Sequence, residues 1–589
     1  MSKKLLGLLL VIAVLGVLAL CTTVAIEFLG ARGPRSLPSK LVLEADFDRE
    51  IEEYLPDQTV SQAFGGEEPT TRDIVDGIDR AAKDERVAGL VARLGAVPMG
   101  MAQIQEFRDA ILRFRKSGKP AVAWSETFGE FGAGNGAYYL ATAFDTIYLQ
   151  PSGDIGLTGL MYESPFFKHM FEKLDVVPRM DHRYEYKNAM NVYTESQYTA
   201  PHREAMQKLM DSQFSQIVRG IAAARKLTEA EVRARFDQGP FLGQQAVDAK
   251  LVDGLLYRDE VFDKLKAKAG GTPKFLYVEK YLERAGRPHA SGDKIALIYG
   301  VGAVSRGEGG YSPLSGSTMG SDTVAAARNA AREDEDVRAI LFRVDSPGGS
   351  YVASDTIWRE TQLARKAGKP VVVSMGNLAG SGGYFVAMGA DKIVAQPGTI
   401  TASIGVLGGK LYTKGFWTRL GIDWDEIHTS ANGTMFDAST DYTPQEWAKF
   451  QQWLDRVYVD FTSKVAAGRR LPKDKVLAIA KGRIWSGEDA KDLGLVDALG
   501  GMDVALALVK EAAKIPASKD VDLTLYPRKR SFFETLLHQR PDSSESDSWS
   551  TTAVDAMREL RPVLALLRQA GLAGGEPGVL SMPPMRPAR

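Results

Sequence analysis

The chain repeats itself at a spacing of about 250 residues, and this repetition constrains its fold more than any other feature of the sequence. Arg115-Lys116-Ser117-Gly118-Lys119-Pro120 returns as Arg365-Lys366-Ala367-Gly368-Lys369-Pro370, an offset of 250, and Val87 and Arg93 match Val337 and Arg343 at the same offset. After Pro120 the first copy carries four extra residues, the offset becomes 246, and Gly134–Gly159 aligns without a gap on Gly380–Gly405. Nine of those 26 positions are identical, where about two would agree by chance at average residue frequencies near 7%. Leu251-Val252-Asp253 then matches Leu495-Val496-Asp497. The chain is a duplication.

Each copy reads alike. A strand (Val87–Leu94; Val337–Val344) leads through a loop into an amphipathic helix (Gln103–Phe114; Ser354–Arg365). Gly-Lys-Pro ends that helix and opens a second strand (Ala121–Trp124; Val371–Ser374). A glycine-rich turn and short helix follow near Tyr138 and Tyr384, then a third strand (Thr146–Leu149; Lys392–Ala395). This alternation predicts an α/β fold of parallel βαβ units with right-handed crossovers. The expected organisation is a first repeat over 40–267, a second over 294–514 and a tail over 515–589. The tail reads as solvated and partly disordered around Ser543–Ser550 and Gly574–Arg589, with an apolar helical spacing over Val554–Leu572 between them.

Before the repeats, Lys3 and Lys4 precede an apolar run from Leu5 to Ile26. As a helix it would be roughly 33 Å long, enough for a hydrocarbon core of about 30 Å. A cleaved signal peptide has a shorter apolar region, about 7–15 residues. The expectation is therefore an uncleaved anchor within residues 1–29, spanning 5–26, with the lysine pair favouring a cytoplasmic N-terminus. The 589-residue chain is 44% hydrophobic and 25% charged as a whole, which excludes global disorder and a many-span membrane protein. A net charge of −1 gives no support for nucleic-acid binding. A single cysteine, Cys21, excludes sites built on paired thiols, and six histidines leave few candidates for a His-based triad. Chemistry must come mostly from hydroxyls, carboxylates, amines and backbone.

Where the copies differ, function can be sought. The second copy has Asp345-Ser346-Pro347-Gly348-Gly349 directly after a strand, and the first has Gly95-Ala96-Val97-Pro98-Met99 there, with no glycine pair. Adjacent glycines let backbone N–H groups approach a ligand, although a plain tight turn has the same signature. In Gly380-Ser381-Gly382-Gly383-Tyr384, Ser381 takes the place of Asn135. A serine between strand and helix can project its Oγ into a cleft with helix N-terminal amides behind it, yet such a serine is more often an N-cap than a nucleophile. Lys187 lies in Tyr184-Glu185-Tyr186-Lys187-Asn188-Ala189 of the first copy only; a lone lysine among aromatics is normally a surface residue with a snorkelling stem.

At these residues the sequence resembles the long, duplicated form of the signal peptide peptidase A (protease IV) family, serine–lysine peptidases. The resemblance spans roughly Lys3 to Lys514 and implies two tandem copies of a crotonase/Clp-protease-like domain behind one transmembrane helix. Gly380–Tyr384 matches the nucleophile motif, which implies Ser381 as nucleophile; Tyr186-Lys187-Asn188-Ala189 implies Lys187 as general base. Asp345–Gly349 implies an oxyanion hole of the Gly349 and Gly382 N–H groups, and Thr401-Ala402-Ser403-Ile404-Gly405 implies that Ser403 orients the lysine. Gly380 stands where the family has alanine, and a family proline is missing after Ala189. The resemblance further implies remnant signal peptides and other apolar peptides as substrates, an inner-membrane location with the catalytic body outside the cytoplasm, a homo-oligomer (a tetramer), and no cofactor, metal or nucleic acid. Two other readings stand beside it: a crotonase-like acyl-coenzyme A enzyme, and a non-catalytic membrane-tethered scaffold. The sequence leaves open whether Lys187 and Ser381 meet within one chain or between chains.

Overall fold

Strands buried on both faces of a parallel sheet read as nearly unbroken apolar runs, and both copies supply them. The computed structural model describes residues 36–55, 69–95, 99–312, 316–527 and 579–580. The expected anchor over 5–26 and the apolar spacing over 554–572 lie outside the described residues. Among the described residues no helix is long and apolar enough to cross a membrane.

The first copy builds strands β1 (Leu41–Asp46), β2 (Val87–Arg93), β3 (Ala121–Ser125) and β4 (Thr146–Leu149), a separate β5 (Val177–Arg183), then β6 (Gly254–Leu255) and β7 (Lys274–Tyr277). Its sheet runs β6-β4-β3-β2-β1-β7 with all neighbours parallel. Helices α1 (Thr71–Lys83), α2 (Met101–Arg115), α3 (Asn135–Ala141) and α4 (Ala200–Arg225) connect and cover it. The second copy repeats the plan with β8 (Asp293–Val301), β9 (Val337–Ser346), the short β10 (Gly349–Ser350), β11 (Val371–Gly380), β12 (Lys392–Ala395), β13 (Ile400–Ala402) and β14 (Val406–Tyr412). It ends with β15 (Ile484–Ser486), β16 (Ala498–Leu499) and β17 (Val521–Leu525). Its helices are α5 (Ser321–Glu333), α6 (Tyr351–Lys366), α7 (Gly382–Ala387), α8 (Pro444–Arg469) and α9 (Met502–Ala512). The main sheet runs β15-β13-β11-β9-β8-β17, with β12 against β11 and β16 against β12. The first sheet takes in β7 beyond residue 267 and the second takes in β17 beyond residue 514, because each pairs with the opening strand of its copy.

The repeated residues hold the repeated fold. Lys119 donates to the carbonyls of Ala81 and Asp84 at 2.8 and 2.7 Å, tying the end of α1 to the start of β3, and Lys369 reaches Ala331 and Asp334 in the same way. Asp145 and Asp391 each bind the helix-ending arginine and the first amide of the next strand. Tyr138 and Tyr384 donate to the carbonyls of Leu251 and Leu495 at 2.7 and 2.9 Å. Ile147 N and Ile393 N both donate to the aspartate of Leu-Val-Asp at 2.7 Å. The long helices α4 and α8 share an N-capping threonine, an early proline and a left-handed C-cap.

The copies join through apolar clusters, such as Ala205, Met206 and Leu209 against Ile484, and through a buried set of polar groups. Helix α2 is buried around most of its circumference, including Gln103, Gln105 and Glu106. Its Gln103 N donates to Asn377 Oδ1 at 2.9 Å, and Gln105 Oε1 accepts from Gly398 N at 2.7 Å. At the centre, Arg343 of β9 is 1% exposed. It donates to both oxygens of Glu53 at 2.8 and 3.1 Å, to Glu106 at 2.6 Å and to Ser374 at 2.8 Å. Both carboxylates come from the first copy. A buried ion pair adds little by itself, but removing one partner strands the others in low dielectric. Arg343→Leu is therefore expected to destabilise the protein by about 3–5 kcal/mol. The partly exposed Arg113–Asp503 pair of the same interface should yield about 1 kcal/mol or less on Asp503→Asn. Urea unfolding of the two variants side by side measures the contrast; equal midpoints would contradict it.

Candidate active site

A ladder between the copies brings the site residues together. Strand β5 pairs antiparallel with β14 over seven residues, from Arg183 opposite Val406 to Val177 opposite Tyr412. The chain leaves β5 at Arg183 and reaches Lys187 four residues later, with Tyr186 N donating to Lys481 O at 3.2 Å. On the second copy, β11 runs out through Gly380 into Ser381, and α7 begins at Gly382. Lys187 Nζ lies 2.8 Å from Ser381 Oγ, 3.0 Å from Ser403 Oγ and 3.0 Å from the Ser403 carbonyl. The lysine and the serine thus meet within one chain.

Neither bland reading survives. Lys187 is 1% exposed, so it does not snorkel to the surface. Ser381 is fully buried and makes no capping bond with its side chain. It holds φ 54° and ψ −112°, and Ala402 and Ser403 opposite it also have positive φ, 66° and 51°. Such conformations cost about 1–3 kcal/mol each in residues with a Cβ, and they persist where the surroundings over-determine them. Ser381 N donates to Ala402 O at 2.7 Å, which ties two of the three together.

Among the described residues no carboxylate lies within ion-pair distance of Lys187. Burial alone pushes its ammonium from 10.5 down to about 7. An ordinary lysine is neutral in only about one molecule in 2,500 at pH 7; here the neutral amine is a major form. In that form its hydrogen bonds admit an arrangement suited to proton transfer. The Ser403 carbonyl can only accept, so it takes one N–H. The Ser403 hydroxyl faces the Gly482 carbonyl at 3.4 Å and can donate there, leaving its lone pairs for the second N–H. The amine lone pair then faces Ser381 Oγ and can take its proton.

Two glycine amides lie beside the serine. A Cβ on Gly382 would come within 3.0 Å of Gly349 N, so these backbone groups converge and a side chain at 382 would fill the space between them. A Cβ on Gly349 would overlap the Val304 carbonyl at 2.1 Å. Paired amides at this spot can stabilise negative charge developing on a carbonyl oxygen. Gly482, which belongs to none of the sequence motifs, also shapes the site. It has φ 84°, and a Cβ there would sit 2.5 Å from the Lys187 backbone, so this glycine lets the lysine segment pack close. The only sequence signal for it is a glycine opening the run Gly482-Arg483-Ile484-Trp485-Ser486 before a strand.

The matching place in the first copy is closed. Asn135, at the position of Ser381, donates to Gly159 O at 2.8 Å and accepts from Thr158 N and Gly159 N at 3.0 and 3.2 Å. Leu157, at the position of Ser403, is fully buried in the core.

Comparison with known proteins finds several relatives named as proteases. Peptidase family S49 matches over residues 113–271 and 363–516, once in each copy. Protease 4 of Salmonella typhi is 33% identical over 477 residues, which cover 77% of this chain and 74% of that protein. The chloroplastic serine protease SPPA of Arabidopsis thaliana is 31% identical over 468 residues, 78% of this chain and 68% of that protein. A putative signal peptide peptidase SppA of Enterococcus faecium is 33% identical over 184 residues, 31% of this chain and 54% of that protein.

The depressed lysine has a sign that can be checked. Between about 7 and 10.5 the unfolded chain binds a proton that the folded chain has released, so stability rises with pH across that window. Lys187→Met should remove this slope and raise stability at pH 7 by up to about 4 kcal/mol, while abolishing any turnover that uses the amine. In the parent, the acid limb of the rate profile should have its midpoint near pH 7. Unfolding and rate profiles from pH 6 to 9 measure both; a destabilised Lys187→Met protein would contradict the assignment of burial as the cause.

Proposed function

The chain belongs to peptidase family S49 and is a serine peptidase, and from that premise we propose that Ser381 is its nucleophile and Lys187 its general base. The observation that carries this reading is the 2.8 Å contact between a buried, uncompensated Lys187 Nζ and Ser381 Oγ. Neutral Lys187 takes the hydroxyl proton as Oγ attacks the scissile carbonyl. The Gly349 and Gly382 N–H groups hold the resulting oxyanion, about 3–4 kcal/mol per donor in comparable sites. Lys187, held by Ser403, hands its proton to the leaving amine, and the acyl-enzyme is hydrolysed when Lys187 takes a proton from water. A coenzyme A enzyme would give this lysine and serine no paired role, and a scaffold would have no use for a buried ammonium that costs stability.

The substrates in this reading are apolar peptides, remnant signal peptides among them. The name of the Enterococcus faecium relative supports the class. Strand binding is supported by residues Val579–Leu580, here β18, which pair antiparallel with β10 so that Leu580 stands opposite Gly349. An extended peptide adding to that edge would gain backbone hydrogen bonds beside the oxyanion amides. In the same proposal the repeat unit is of the crotonase and Clp-protease type, the 5–26 segment anchors the protein in the inner membrane, and the catalytic body lies on the periplasmic side. Hydrolysis of a fluorogenic apolar peptide tests the core of it. Ser381→Ala and Lys187→Ala should each lower kcat by at least about 10³-fold; a Lys187→Ala enzyme that keeps most of the rate would remove the base assignment.

The homo-oligomer belongs to this proposal, and the duplication supplies its geometry. By the 246-residue offset, β5 corresponds to residues 423–429 and β14 to residues 160–166, yet neither counterpart is a strand. One copy's β5 thus finds the other copy's β14 inside the chain, while the reciprocal pair has no partner there. The 423–429 side is exposed, with Ile422, Trp424 and Ile427 open to solvent among Asp423, Asp425 and Glu426, and Met161 is exposed on the 160–166 side. We propose that these edges pair head to tail between copies of the chain, a heterologous contact that closes into a ring when its rotation allows. Light scattering of the detergent-solubilised protein should give a multiple of 64.2 kDa. Ile427→Asp should return the monomer with its turnover per chain retained; a monomeric parent, or an Ile427→Asp protein of unchanged size, would refute the pairing.

A further inference from the structure

Strands β9 and β11 run in register from Ile340 opposite Val371 to Val344 opposite Met375, and the register then breaks. Pairing resumes with Ser346 opposite Ala379, so β11 carries two residues more than β9 across the gap. This bulge, at Gly376-Asn377-Leu378, ends three residues before Ser381. Bulges leave amides without ladder partners and re-aim the chain that follows. Here the missing partner is a side chain: Asp345 Oδ1 accepts from Leu378 N at 2.9 Å, and the Asn377 amide also donates to this carboxyl. The fit is close, since a Cβ on Gly376 would come within 3.0 Å of Asp345 Cβ. The opposite side of the bulge is gripped by the first copy, where Asn377 Oδ1 accepts from Gln103 N at 2.9 Å. Thr399 Oγ closes it by donating to Gly376 O at 2.8 Å.

The first copy provides a natural control. Gly95 stands where Asp345 would be, β3 pairs with β2 without a shift, and β3 stops at Ser125 instead of continuing to the glycine turn. That copy lacks the bulge and the serine, and the carboxyl against Gly95 is that of Asp48, from another segment.

Resting on the reading of Ser381 as nucleophile, we propose that Asp345 is a positioning residue for it, its carboxyl holding the bulge that delivers Ser381 to Lys187 and to the oxyanion amides. The charged groups that act on it are Glu53, from the segment after β1, and Arg343, from its own strand, which in turn binds Glu106 of α2. The guanidinium is committed to Glu53 and Glu106. Three buried carboxyls therefore share one cation, and burial together with the Glu53 charge pushes Asp345 up to about 7. Its ionisation would add a negative charge beneath the bulge that carries Ser381, against a developing oxyanion.

The test is steady-state hydrolysis of the fluorogenic peptide by the full chain, with thermal unfolding in parallel. A misplacement of about 1 Å can cost about 10²-fold in rate. Asp345→Ala should lower kcat by at least about tenfold with KM within about twofold. Asp345→Asn, which keeps an acceptor for Leu378 N, should recover most of kcat at pH 7. It should also hold its rate to higher pH than the parent, because it has no proton to lose. The proposal is overturned if Asp345→Ala keeps kcat within about twofold of the parent. It is equally overturned if the alanine and asparagine variants lose rate and unfolding temperature alike, or if the parent and Asp345→Asn share one alkaline limb. Should Asp345→Ala fail to fold, the pH profile of Asp345→Asn decides alone. A Ser381→Ala enzyme that still turns over would sink the nucleophile reading instead, which keeps the two failures distinct.

Discussion

An ammonium group buried without a counter-charge is the constraint on which the rest of the structure depends. Lys187 is enclosed by two serines, a carbonyl and the backbone near Gly482, and its only electrostatic influence of note is the loss of water. Desolvation of this kind favours the neutral amine, the form able to accept a proton. The same enclosure would be lost if the two copies separated, because the lysine comes from one and all three of its hydrogen-bond partners come from the other. The inter-copy interface is therefore part of the site. Its β5–β14 ladder fixes where the lysine segment begins, and the Arg343 cluster fixes the sheet from which the serine projects.

Duplication explains why the two copies could diverge in opposite directions. A domain that carried both residues would need a neighbour to complete each site. Once two such domains share a chain, one lysine and one serine suffice for the interface between them, and the remaining pair is free to change. Asn135 shows what replaced it: a side-chain amide that binds the loop at Thr158 and Gly159 and fills the vacated pocket with hydrogen bonds. The residues shared by both copies, by contrast, hold strands to helices, as Lys119 and Lys369 or Tyr138 and Tyr384 do.

Much of this architecture is legible in the amino-acid sequence, and the parts that are not share a physical cause. Strand and helix positions such as Thr146–Leu149 and Lys392–Ala395 follow from local apolar runs and stop signals, which act within a few residues. Ser381, Gly349 and Lys187 stand out because the two copies differ there against a shared background. Glu53, Glu106 and Arg343 are illegible as a cluster, since a charged residue in an isolated pattern reads as solvated. The polar face of α2 looks like a solvent face, and only the docking of the second copy buries it. The β5–β14 ladder is hidden for a stronger reason. Residues 177–183 form a strand and their repeat counterparts at 423–429 do not, so the difference lies in which partner is present rather than in local preference.

The strained backbone at the site follows from the same arrangement. Ser381, Ala402 and Ser403 all adopt positive φ without being glycine, and such strain persists only when neighbours leave no alternative. Ser381 is bound by its amide to Ala402 O, Ser403 by its amide to Arg483 O, and the β11 bulge before Ser381 by Asp345 and by α2. Each of these contacts would be worth only about 1 kcal/mol as an isolated hydrogen bond. Acting on one short segment they cannot relax independently, because a shift that relieves one breaks the others. A serine hydroxyl can thereby be kept against a neutral amine, at an alignment that a flexible loop would occupy only part of the time. The cost in strain and in desolvation falls on two full domains, which have the buried apolar surface to offset it.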